Sequence, residues 1–83
     1  MPRSRNAPIE VAFGKVLREV RQEKGLSQEG LADSASLHRT YVSEVERGLK
    51  SPTLGSMKRL AQALGVDLHT LIGAAEGVTS PRR

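Results

Sequence analysis

The chain has 83 residues, enough for one small domain, and no cysteine, which excludes a disulfide framework, a thiolate metal site and a thiol nucleophile. Thirteen Lys and Arg against nine Asp and Glu give a formal charge of +4, a balance that suits a polyanionic partner but is too common among soluble proteins to identify one. No apolar run approaches the roughly 18 residues of a membrane span, the N-terminus lacks the apolar stretch of a signal peptide, and Phe13 and Tyr41 alone are aromatic, which disfavours single-strand binding by base stacking. The expectation is a cytoplasmic protein with no membrane association.

Residues 1–8 hold two Pro and two Arg without apolar periodicity, and they read as a flexible basic arm. A domain over residues 9–72 follows, with apolar residues at helical spacing throughout. Phe13, Val16, Leu17 and Val20 make one stripe, with Lys15, Arg18, Glu19 and Glu23 turned outward. Gly25 ends this first helix, because glycine takes the left-handed C-terminal conformation at little cost. Ser27 is placed to cap a second helix over 28–35, which buries Leu31, Ala32 and Ala35. Ser36-Leu37-His38 break the pattern, and a third helix over 39–47 buries Val42 and Val45 together with Leu37. Gly48 stops it.

Thr53 is a second good cap, for a helix carrying Leu54, Met57, Leu60, Ala61 and Leu64 and ended by Gly65. Asp67 precedes a short fifth helix with Leu68, Leu71 and Ile72. Residues 73–83, small and polar and closing on Pro81-Arg82-Arg83, read as a disordered tail. Five short helices with tight connections predict an all-α globule.

The second and third helices are joined by about three residues, and the third presents a polar outer face. That is helix-turn-helix geometry, in which the second helix of the pair enters the DNA major groove. The run from Leu17 to Glu29, LREVRQEKGLSQE, resembles the opening of the XRE family of helix-turn-helix regulators, the lambda repressor and Cro-like fold. So do Leu31-Ala32, the stretch YVSEVERG from Tyr41 to Gly48, Pro52-Thr53-Leu54, Leu60-Ala61 and Ala63-Leu64-Gly65-Val66. The segment HRTYVS from His38 to Ser43 is similar to the recognition helix of restriction–modification controller proteins. One position departs from the family: Ser36 stands where glycine often occupies the turn, and serine adopts a left-handed conformation only at a cost.

Arg39 lies in the first turn of the third helix, where base edges are met, and a guanidinium suits bidentate contact with guanine O6 and N7. Thr40, Ser43 and Glu44 share its face, and Glu44 is able to accept from cytosine N4. Gln28 opens the second helix, where free amides favour an anion; the resemblance implies that it clamps the DNA backbone. His38, Tyr41, Arg47 and Lys50 are the other candidates for phosphate contact. Arg21 and Glu46 fall toward packed faces, and the resemblance implies a structural ion pair between them. Leu68, Leu71 and Ile72, with Val66 nearby, exceed what so short a fifth helix is expected to bury alone, and they are candidates for a homodimer interface. His38 and His69 fall in separate elements, and neither a Gly-rich phosphate loop nor a paired-carboxylate motif occurs. No metal site, no cofactor, no small-molecule ligand and no enzymatic activity are expected.

These features predict a homodimeric regulator that binds double-stranded DNA at a palindromic operator; the alternative is an antitoxin that binds a toxin partner and represses its own operon. Net charge contributes little to this reading. Residues 9–72 hold nine Lys and Arg against eight Asp and Glu, and the excess sits in the termini at Arg3, Arg5, Arg82 and Arg83.

Overall fold

The computed structural model describes residues 8–79, and Pro8 is the N-cap residue of the first helix. The Pro8 carbonyl accepts from the Ala12 amide at 3.0 Å, so helix α1 (Ile9–Glu23) begins directly after residue 8, the expected end of the basic arm. Residues 1–7 of that arm and residues 80–83 of the expected tail lie outside the described residues. The other elements are α2 (Gln28–Ala35), α3 (Arg39–Glu46), α4 (Leu54–Leu64) and α5 (Leu68–Thr79). Among the described residues the fold is all-α, with five helices in the predicted order, the fifth longer than expected.

The helix ends follow from local chemistry. The Ser27 hydroxyl accepts from the Gly30 amide at 2.9 Å, and the Thr53 hydroxyl accepts from the Ser56 amide at 3.0 Å, so each cap satisfies an otherwise free first-turn donor. Four helices close with a left-handed residue: Gly25, Gly48 and Gly65 after α1, α3 and α4, and Ser36 after α2. Ser36 sits at φ 59°, ψ 44°, its amide and that of Leu37 turned back onto the carbonyls of Asp33 and Ala32. The turn has the shape glycine would give, held by a residue that opposes it. The Arg59 guanidinium donates to the Ser36 carbonyl at 3.3 Å, a link from α4 to this turn.

Helix α1 packs against α5 and α3, α2 packs against α4 and α3, and α4 completes the ring against α5. The core is built from the apolar stripes read in the sequence: Leu17, Leu31, Val42, Val45, Leu60 and Leu71 are fully buried. Gly14 sets the distance between α1 and α3, because a Cβ there would collide with the carbonyl oxygens of Val45 and Glu46. The axes approach this closely only because that side chain is missing.

Three expectations need correction. The folded block does not stop at residue 72: α5 continues to Thr79, and Ala75 is fully buried. The small, polar composition of residues 73–83 suggested a tail, but the α1 surface opposite α5 gives this stretch a tertiary partner, and packing outweighs weak propensity. Leu71 is fully buried in its own domain, so it is not available to a dimer interface. Leu54 occupies the first turn of α4 but stays 70% exposed, because the core contacts of α4 begin a turn later.

Candidate nucleic-acid interface

The three residues Ser36, Leu37 and His38 connect α2 to α3, and Leu37 packs on the core beneath them. The inner face of α3 is fixed by Val42, Val45 and Glu46, all buried. That leaves its other face outward. Arg39, Ser43 and Arg47 align at successive steps of four along it, with Thr40 and Glu44 forming a parallel row. Arg39, Thr40 and Arg47 are exposed, and Tyr41, Ser43 and Glu44 are half-buried. Eight residues make a helix of about 12 Å, comparable with the width of a B-DNA major groove.

Arg21 of α1 holds the base of this helix. Its Nε donates to Glu46 Oε2 at 2.6 Å, its Nη2 donates to Glu46 Oε1 at 3.1 Å, and its Nη1 donates to the Leu26 carbonyl at 2.8 Å. The side chains are only 11% and 2% exposed, so each charge depends on the other for solvation. Gln28 joins the same network: its Nε2 donates to Glu46 Oε1 at 3.0 Å. The residue that opens α2 is thereby oriented by the carboxylate that ends α3. Spacing alone did not reveal this link, because the partners are 18 positions apart.

Lys50 is the second residue whose partner the sequence did not show. Its Nζ lies 3.6 Å from Glu44 Oε1 across the Gly48 turn, and both side chains remain partly exposed. A phosphate candidate and a base-edge candidate therefore neutralise each other in the free protein. His38 is exposed at the N-cap of α3 without a side-chain cap bond, while His69 is exposed on α5. Among the described residues no three His, Asp or Glu side chains cluster in a way that would hold a metal ion. No helix there is long and apolar enough to cross a membrane.

A short helix with a polar outward row, locked from beneath and preceded by a capped helix across a three-residue turn, defines a helix-turn-helix protein. The helix-turn-helix family model matches residues 17–71. The control protein C.BamHI of Bacillus amyloliquefaciens is 40% identical over 65 residues, covering 77% of this chain and 80% of that protein. The control protein C.MunI of a Mycoplasma species is 36% identical over 69 residues, covering 82% of this chain and 93% of that protein. Against two other curated relatives, 38% and 33% identical, the match spans less than half of their length, 46% and 44%. The crystal structure of the restriction–modification controller protein C.AhdI from Aeromonas hydrophila superposes with a TM-score of 0.73 at 48% identity, covering 74% of this chain and 92% of that one. The chain belongs to the XRE-type helix-turn-helix family of DNA-binding transcriptional regulators.

Proposed function

We propose that the chain is a controller protein of a restriction–modification operon, acting as a cytoplasmic homodimer on a palindromic operator. The observation that carries this reading is the outward row of α3, where Arg39 stands exposed in the first turn with no ion-pair partner among the described residues. Arg39 reads a guanine edge, and Thr40 and Ser43 read or flank the neighbouring pair. Glu44 accepts from a cytosine amine once Lys50 turns to a phosphate. Gln28, His38, Tyr41 and Arg47 hold the adjoining backbone.

One helix reads only a few base pairs, so two copies are needed, spaced about one turn of DNA apart. Val66, Leu68 and Ile72 are half-buried on the rim of the core, and they supply the apolar part of a two-fold contact. The similarity to C.BamHI, C.MunI and C.AhdI favours the restriction–modification reading.

Selection of bound sites from random duplex DNA, followed by footprinting upstream of the chain's own gene, tests the proposal. A two-fold symmetric site that recurs in that upstream region is the expected result. Binding without sequence preference would overturn it, as would a strict monomer on DNA in sedimentation.

A further inference from the structure

A cavity of about 230 Å³ opens where α1, α2 and α3 meet, lined by Arg18, Arg21, Gln28, Ser43, Glu46 and Arg47. Its lining holds three arginines and a single carboxylate, that of Glu46. The Glu46 carboxylate is already engaged at both oxygens, by Arg21 Nε at one and by Arg21 Nη2 and Gln28 Nε2 at the other. It neutralises Arg21 and no more. Arg18 and Arg47 are exposed and have no acidic partner among the described residues. Arg18 stands one turn before Arg21 on α1, and Arg47 one turn after Ser43 on α3, so the two free charges border the cavity from different helices.

We propose that this cavity is the seat of one DNA phosphodiester, and that Arg18, outside the helix-turn-helix itself, is one of its ligands. The inference rests on the DNA-binding reading above and extends it to α1. A phosphodiester brings one negative charge and two acceptor oxygens. Arg18 and Arg47 supply charge and N–H donors, the Ser43 hydroxyl supplies another donor, and the second N–H of Gln28 Nε2 is free for a phosphate oxygen. Because Arg21 and Gly14 fix α1 against α3, a phosphate gripped here sets the depth and register at which α3 enters the groove. Its contribution is positional and carries no base preference.

The test is a titration of the full chain, by fluorescence anisotropy, onto a duplex recovered by selection and onto a scrambled duplex, between 50 and 200 mM salt. Arg18→Gln is compared with the parent and with Lys58→Gln, a change at an exposed α4 position outside the cavity. One lost phosphate contact lowers the slope of log affinity against log salt by about 0.9 per bound protomer, a change of about 3.5-fold across that salt range. Arg18→Gln is expected to lose this on both duplexes, keeping the parent's ratio between them, with an unchanged thermal midpoint and no effect from Lys58→Gln. A parent slope retained by Arg18→Gln overturns the phosphate seat while leaving DNA binding intact. An altered ratio between the duplexes overturns it too, since it would make Arg18 a base reader. A parent chain that binds neither duplex overturns the DNA-binding reading itself.

Discussion

Arg21 and Glu46 lie 25 positions apart in the chain and are joined by two charge-assisted hydrogen bonds of 2.6 and 3.1 Å, which tie the first helix to the end of the third. The pair is buried, and Glu46 also receives Gln28, so one carboxylate coordinates residues from all three helices that surround the candidate interface. Desolvating the two charges offsets most of their attraction, but removing one strands the other.

Glu46→Ala is therefore expected to destabilise the fold by about 3–5 kcal/mol, because Arg21 is left buried without its counter-charge. In a domain this small that is a large part of the total stability. Thermal unfolding checks the loss. At a temperature where the variant is still folded, its ratio of specific to scrambled-duplex affinity should stay near the parent's, since Glu46 faces inward. A melting midpoint equal to the parent's would contradict the structural role.

Gly14 makes a second, independent prediction about the same junction. A methyl group at this position meets backbone oxygens of α3, which have no rotamer through which to escape. Gly14→Ala should thus cost about 1–3 kcal/mol through displacement of α1, despite the gain in helix propensity that alanine normally brings. Chemical denaturation measures it. A more stable Gly14→Ala would show that α1 and α3 are not held so close.

Ser36 gives the opposite sign. It is the one non-glycine residue with positive φ among those described, and it ends α2 at the turn into the recognition helix. Ser36→Gly relieves about 1 kcal/mol of left-handed strain and should raise the melting midpoint by roughly 4–8 °C. The Arg59 bond goes to the Ser36 carbonyl and survives the change. A lowered midpoint would mean that the serine side chain makes a contribution larger than the strain.

The parts of this fold that were legible in the sequence are those set by short-range physics. Ser27 and Thr53 cap, Gly25 and Gly65 stop, and the stripes of Leu17, Leu31 and Leu60 point inward because helical spacing alone places them there. The Arg21–Glu46 pair was reached by resemblance, and the geometry bears it out. What stayed hidden depends on which helix faces which. Ala75 and Leu71 are buried because α1 covers α5, and no local signal announces that cover. Gln28 meets Glu46, and Lys50 meets Glu44, only once the turns at Ser36 and Gly48 have set the directions of their elements.

The Glu44–Lys50 contact gives a prediction in which stability and recognition part company. At 3.6 Å and with both groups partly exposed, the pair is worth at most about 1 kcal/mol to the fold. Glu44→Ala should therefore leave the melting midpoint nearly unchanged. It removes a negative charge from the face offered to DNA and releases Lys50 to the backbone. Affinity for scrambled duplex should rise, with the salt slope steepening by about 0.9 per protomer, while discrimination at one base pair falls. Arg39→Ala is the counterpart: it should cost about 1–3 kcal/mol on the selected site, relax preference at a single pair, and spare stability because Arg39 is exposed. Anisotropy titrations of both variants on selected and scrambled duplexes separate the two roles. If Arg39→Ala weakened both duplexes equally, Arg39 would be a phosphate contact, and base reading on α3 would have to begin at Thr40.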